Sequence, residues 1–97
     1  MSDLNVVAVI TAKPGREDAV RSALRELVGP TLAEDGCLSY ELFESQAESS
    51  VFVTIEKWRS QADLDEHVKS PHLAAAMTAA GDALAAAPAI HPLAPVA

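Results

Sequence analysis

Residues 37–59, CLSYELFESQAESSVFVTIEKWR, decide the fold because they contain two strand-like runs joined by a polar loop. Cys37 to Glu44 and Ser50 to Arg59 are rich in the β-branched and aromatic residues that strands favour. Ser45 to Ser49 between them is short and polar, which suits a hairpin connection. The stretch therefore predicts two neighbouring antiparallel strands.

The second of these strands is apolar on both faces. Alternation places Phe52, Thr54, Glu56 and Trp58 on one side and Val51, Val53, Ile55 and Lys57 on the other. A sheet that faces solvent on one side is normally apolar on the other side alone. We therefore expect the second face to be covered as well, most simply by another copy of the chain, which predicts a homodimer.

The residues before the hairpin predict a strand and then a helix. Leu4 to Thr11, LNVVAVIT, is a β-branched run that Pro14 and Gly15 end. From Arg16 to about residue 34, apolar residues recur at helical spacing, with Gly36 as a plausible C-cap. This segment is predicted to be an amphipathic helix.

The residues after the hairpin predict a pair of helices and an edge strand. A helix follows Ser60, and Ser70 and Pro71 have the N-cap and N1 signature of a second helix that runs into the alanine-rich segment 74–87. The proline-rich segment 88–96 can form an edge strand. The order βαββαβ predicts one α+β domain over residues 1–97, a ferredoxin-like antiparallel sheet with helices on one face.

Composition narrows the class of protein. The 97 residues are 49% hydrophobic, enough for a core in one domain. Fourteen acidic against seven basic residues give a net charge of -7, the wrong sign for nucleic acid or an anionic membrane as partner. The N-terminus lacks the features of a signal peptide, and Cys37 is the single cysteine. We expect a soluble cytoplasmic protein in which Cys37 is structural.

The histidines are the first candidates for chemistry. His67 and His72 are five residues apart across a proline, whereas two ligands on one helical face need a spacing of three or four, and His91 is remote. The spacing therefore predicts no metal site, and His72 is expected to be a surface residue at a helix start. His67 lies on an inward stripe, where it is either a satisfied core histidine or a base or donor in a pocket.

Three polar side chains are predicted to converge under the helices. Tyr40, Glu56 and His67 all point to the covered side of the sheet, and an apolar cavity with a few polar groups is the usual form of a small-molecule site. The alternatives are core packing for Trp58 and Phe52, and an ion-pair role for Glu56. No phosphate loop, hydrolase elbow or flavin fingerprint is present in the sequence, so no bound nucleotide cofactor is expected.

Three segments in order carry a resemblance to a known family. KPGRED at 13–18, EDGCLSYELFE at 34–44 and VFVTIEKWRSQADLDEHVKSPHL at 51–73 resemble the antibiotic biosynthesis monooxygenase domain, a dimeric α+β barrel family that includes quinol monooxygenases. The resemblance covers nearly the whole chain. It implies a ferredoxin-like subunit, a homodimer formed sheet to sheet, and a pocket between each sheet and its helices.

The resemblance also implies an activity. Members of the family oxidise quinols or polycyclic phenols to quinones with molecular oxygen, without a metal or flavin cofactor. Carried onto this chain, the resemblance implies that His67 is the base or the oxyanion donor. It also places five further residues around the substrate: Trp58 and Phe52 as pocket walls, Tyr40 and Glu56 as orienting groups, and Asn5 as a pocket amide.

Other functions remain open on the same fold. A haem-degrading branch of the superfamily resembles this chain at Trp58. However, Met77 stands where the iron ligand of that branch is expected, and Ala8 stands where its asparagine is expected, which disfavours haem degradation. Met77 is assigned to the substrate pocket. A non-catalytic binding or stress-related module is the main alternative. Isomerase or lyase activity on a small cyclic acid is disfavoured because no inward Arg is predicted in the sheet.

Overall fold

The computed structural model describes residues 3–97. Its elements are β1 (Leu4–Thr11), α1 (Glu17–Leu32), β2 (Cys37–Glu44), β3 (Val51–Trp58), α2 (Gln61–Val68), α3 (Pro71–Ala80), a 3-10 turn (Gly81–Ala83) and β4 (Ala89–Leu93). The predicted order of strands and helices is confirmed.

The four strands form one antiparallel sheet in the order β2-β3-β1-β4. β1 pairs with β3 from Leu4 opposite Trp58 to Thr11 opposite Val51. β4 pairs along the other side of β1 and forms the edge, as the proline-rich sequence predicted. The fold is the predicted ferredoxin-like α+β architecture.

The two faces of the sheet differ in what covers them. Under the helices, Val6, Phe52 and Trp58 are completely buried. On the opposite face, Phe43 and Ile55 are about half exposed, at 46% and 48%. The open face therefore carries exposed apolar side chains, as the alternation in β3 predicted.

The first helix tolerates a proline and ends earlier than predicted. Pro30 lies inside α1, and Ala33, not Gly36, is the C-cap. α1 has 16 residues, and no helix within residues 3–97 combines the length and apolar character needed to cross a membrane.

Gly36 has a different role from the predicted C-cap. A Cβ on Gly36 would lie 2.1 Å from Cγ and 2.3 Å from Cβ of Asp63, in the first turn of α2. The carbonyl of Gly36 also accepts a hydrogen bond from the backbone N–H of Arg59 at 2.8 Å. The turn after α1 therefore needs glycine because α2 approaches it closely.

Two serines cap the starts of the last two helices. Ser60 Oγ accepts from the N–H of Asp63 at 3.2 Å and caps α2, while Ser70 Oγ accepts from the N–H of Leu73 at 3.2 Å and caps α3. Pro71 occupies the first turn of α3, where its missing N–H is not needed. This arrangement, predicted from Ser-Pro, turns the chain sharply between His67 and His72.

Candidate functional site

A cavity of about 290 Å³ lies between the sheet and the helices. Its walls are mainly apolar and include Ile10, Leu27, Leu73, Met77 and Ile90. Its polar wall consists of Tyr40, Thr54, Glu56 and His67. The size is near the lower end of the range for ligand sites, about 300–1,000 Å³. The structure therefore brings together the three polar residues that the sequence placed on the covered side.

Glu56 is held by its own strand. Its side chain is buried, with 5% of the residue exposed. Oε2 accepts from the hydroxyl of Thr54 at 2.5 Å, and Oε1 accepts from the indole N–H of Trp58 at 2.8 Å. Residues two apart on a strand share a face, so β3 supplies both donors. The buried carboxyl group is thus satisfied by neutral donors and is fixed in orientation.

His67 is held by a carboxylate from another element. Its Nδ1 lies 2.6 Å from Oε2 of Glu34, a residue of the turn that follows α1. Its ring packs against Trp58 at 4.8 Å and Tyr40 at 5.8 Å between centroids. A carboxylate only accepts, so Nδ1 carries the proton, and Nε2 of the neutral ring is left as an acceptor. Within residues 3–97, Nε2 has no hydrogen-bond partner.

His72 reaches the same carboxylate oxygen. Its Nε2 is 2.7 Å from Oε2 of Glu34, and its ring centroid is 6.0 Å from that of His67. His72 lies at the start of α3, as predicted, but it is not a free surface side chain, since it is 23% exposed and bound to Glu34. The spacing argument considered one helix, whereas Ser70 and Pro71 start a second helix that returns His72 to Glu34.

The sequence analysis missed Glu34. The residue stands in a turn, carries no periodic signal and lies 33 positions from His67. The one local sign is Gly36, two residues later, which marks a close approach of another element. That sign identifies a packed turn but not the partner of Glu34.

Three predicted site residues lie outside the cavity wall. Trp58 is completely buried behind His67 and holds Glu56, so it supports the site rather than lining it. Phe52 is completely buried in the core near the other end of β3, with the guanidinium of Arg21 5.5 Å from its ring centroid. Asn5 is exposed on the open face of the sheet, opposite Lys57. The predicted positions of Trp58, Phe52 and Asn5 are corrected accordingly, while Met77 does line the cavity.

Burial keeps two further groups protonated. Burial raises the pKa of the Tyr40 phenol, and the charge of Glu56 raises it further. Burial likewise raises the pKa of Cys37 to about 11, with contributions from the charges of Glu34 and Glu56. At neutral pH, Tyr40 is therefore a hydrogen-bond donor, and Cys37 is a protonated thiol.

Fold and site together define a ferredoxin-like α+β domain, with a histidine and two carboxyl groups beside an apolar cavity. Residues 4–79 match the family model described as antibiotic biosynthesis monooxygenase. The chain belongs to the antibiotic biosynthesis monooxygenase family, which confirms the resemblance seen in the sequence.

Named relatives and solved structures agree with this assignment. The chain is 39% identical to "Putative monooxygenase Rv0793" of Mycobacterium tuberculosis, over 98% of this chain and 93% of that protein. It is 36% identical to "Probable quinol monooxygenase YgiN" of Escherichia coli K12, over 74% of this chain and 79% of that protein. The crystal structure of PA3566 from Pseudomonas aeruginosa superimposes with a TM-score of 0.90 at 35% identity, covering 100% of this chain and 97% of that one.

Proposed function

We propose that this protein is a cofactor-independent monooxygenase that oxidises a quinol or polycyclic phenol to a quinone with molecular oxygen. The observation that carries the proposal is the His67 ring on the wall of an apolar cavity, with Nδ1 engaged by Glu34 and Nε2 unpartnered. A ring in this state is suited to accept a proton from a bound phenol. The family assignment supports oxygen as the second substrate.

The reaction needs a base and a place for charge. Nε2 of His67 takes the phenolic proton, and the imidazolium that forms is stabilised by the Glu34 carboxylate at Nδ1, 2.6 Å away. The substrate anion then transfers an electron to oxygen, and the two radicals recombine at a ring carbon. The ring peroxide that results takes the proton back from Nε2 of His67. Loss of the proton from the same ring carbon and cleavage of the O–O bond then leave one oxygen as the new carbonyl and release the other as water. The substrate supplies all the electrons, so the protein supplies binding, deprotonation and exclusion of bulk water.

The charges around the cavity support a neutral substrate. Glu56 and His67 are its ionisable wall residues besides Tyr40, and no Lys or Arg is among the described residues that line it. A substrate carboxylate would face Glu56 without a cation to pair with, which is costly in a buried site. A flat neutral phenol would instead pack against Leu27, Leu73 and Met77.

The assembly and extent of the protein belong to the same proposal. A homodimer is supported by the apolar open face, where Phe43 and Ile55 are about half exposed. A single domain over residues 1–97 is supported by one sheet with its helices on one side. A cytoplasmic location remains a prediction from the sequence.

Oxygen consumption tests the proposal. Metal-stripped protein is mixed with a panel of hydroquinones and anthrone-like phenols, and uptake is compared with the spontaneous rate. His67→Ala should lower the enzymatic rate by about 10²–10⁴-fold, the usual contribution of a general base. His91→Ala is the matched control, because His91 is exposed on β4.

Two results would contradict the proposal. Equal rates in wild type and His67→Ala would reduce His67 to a packing residue. No uptake above background across the panel, with folded protein, would favour the non-catalytic binding module.

A further inference from the structure

We propose that Glu34, His67 and His72 form a binding site for a divalent transition-metal ion of the zinc type at the edge of the cavity. The proposal goes beyond the oxygenase function and does not depend on it. The spacing of the histidines in the sequence predicted no metal site, and the proposal revises that prediction.

The first support is the set of ligand atoms and their convergence. Three elements contribute: Glu34 from the turn after α1, His67 from the last turn of α2 and His72 from the first turn of α3. One ligand atom from each lies within 4.8 Å of the others. Two imidazoles and one carboxylate are a donor set used by catalytic zinc and non-haem iron sites.

The second support is charge. The Glu34 side chain is 17% exposed, and within residues 3–97 its ion pairs are with the two histidines and not with Lys or Arg. Because each histidine is charged only if it is protonated, the two hydrogen bonds do not by themselves balance the charge of the carboxylate. A divalent cation placed among the three groups would balance it and would use neutral imidazole, the form that binds metals.

The distances require a small adjustment. In tetrahedral coordination, nitrogen and oxygen ligands at zinc–ligand distances of about 2.0–2.2 Å are separated from each other by roughly 3.3–3.6 Å. Here the two histidine nitrogens lie 2.6 and 2.7 Å from Oε2 of Glu34. Each must therefore move away from Oε2 by roughly 0.6–1.0 Å, and the two nitrogens, which lie within 4.8 Å of each other, must reach a similar separation. Glu34 stands in a turn and His72 is partly exposed, so rotations of these two side chains can provide this movement.

Occupation of the site would change the chemistry of His67. The ion would bind Nδ1, and the single proton of the neutral ring would move from Nδ1 to Nε2. His67 would become a donor toward the cavity instead of an acceptor. On the proposed function, which this one consequence assumes, a bound ion would inhibit proton removal from the phenol.

Calorimetric titration with zinc chloride tests binding without reference to activity. Chelator-treated protein near neutral pH should bind one Zn²⁺ per chain. Glu34→Gln and His72→Gln should each weaken binding by at least about tenfold, and binding should weaken at acidic pH, where protons compete with the ion for the two imidazoles. His91→Gln and Cys37→Ser are controls for an exposed histidine and for a thiol ligand, and both should bind like wild type.

The results separate this proposal from the oxygenase function. No binding of Zn²⁺ by the wild type would overturn the site, as would equal affinity in wild type, Glu34→Gln and His72→Gln. Loss of binding in Cys37→Ser or His91→Gln would place the ion elsewhere and would also overturn it. Circular dichroism of each variant confirms that folding is retained. Oxygen uptake by the metal-stripped protein is measured separately, so either proposal can fail alone.

Discussion

Replacing Gly36 with alanine should destabilise the protein by far more than a surface substitution normally does. The added Cβ would lie 2.1 Å from Cγ and 2.3 Å from Cβ of Asp63. Carbon atoms in contact prefer about 3.5–4.0 Å, so the turn and α2 must separate by more than about 1 Å. Such a separation strains the hydrogen bond between the Arg59 N–H and the Gly36 carbonyl.

Asp63 cannot rotate away without a further cost. Its carboxylate accepts from the Arg59 guanidinium at 2.9 and 3.0 Å and from the Ser60 hydroxyl at 2.7 Å. Its Cβ is fixed by the backbone of α2, so side-chain rotation would not remove the contact at 2.3 Å. Overpacking of this kind costs about 1–3 kcal/mol and sometimes more, and we expect about 2–4 kcal/mol for Gly36→Ala.

Thermal unfolding at a fixed protein concentration is the assay. For a domain of this size, 1 kcal/mol corresponds to about 4–8 °C in Tm, so Gly36→Ala should lower Tm by at least about 8 °C. Gly29→Ala is the matched control because a Cβ at Gly29 meets no atom within 4 Å, and its effect should stay within about 1 kcal/mol. A Tm for Gly36→Ala within about 3 °C of wild type would refute the packing argument.

Three further predictions concern the groups around the site. Trp58→Phe removes the donor to Oε1 of Glu56 and should cost about 1–3 kcal/mol in denaturant unfolding, with Trp58→Phe/Glu56→Gln showing a non-additive effect. The hydrogen bond from Arg59 holds the pKa of Asp63 below its usual range. The ionised Asp63 therefore stabilises the fold above about pH 4, and this stabilisation is lost as the pH falls through the lowered pKa. In Asp63→Asn, the free energy of unfolding should depend less on pH in this acidic range. Cys37, with its pKa raised to about 11, should react with iodoacetamide at pH 8.5 about 100-fold more slowly than in the unfolded chain, and equal rates would contradict the raised pKa.

The strands and their faces could be predicted because their signal is local. In β3, residues two apart share a face, and the buried positions Phe52, Thr54, Glu56 and Trp58 follow that alternation. The same rule does not give position along the strand. Phe52 and Glu56 share a face but are about 13 Å apart at the usual rise per residue, so Phe52 contributes to the core and not to the cavity.

The misplacement of Asn5 has a different cause. β1 reads LNVVAVIT, with apolar side chains at both odd and even positions, so its sequence does not reveal which set faces the helices. The register with β3 decides it, since Val6 opposite Glu56 is buried and Asn5 opposite Lys57 is exposed. Register depends on pairing between distant segments, which a single strand does not encode.

The cluster of Glu34, His67 and His72 could not be predicted from the sequence. Helical spacing compares residues on one helix, but His67 and His72 belong to two helices, and Glu34 lies 33 and 38 positions away from them. The cluster forms only when α2 packs onto the turn after α1. To predict the cluster, one would first need to know that the turn at Gly36 packs against Asp63 of α2.

The close approach at Gly36 has an evolutionary consequence. A side chain at position 36 would meet the Cβ of residue 63, so it is compatible with this packing only if position 63 becomes glycine or the turn changes length. Substitutions at these two positions should therefore be correlated among proteins that keep this turn. Relatives that depart from glycine at position 36 are expected to carry a compensating change in the first turn of α2 and, with it, a different partner for His67.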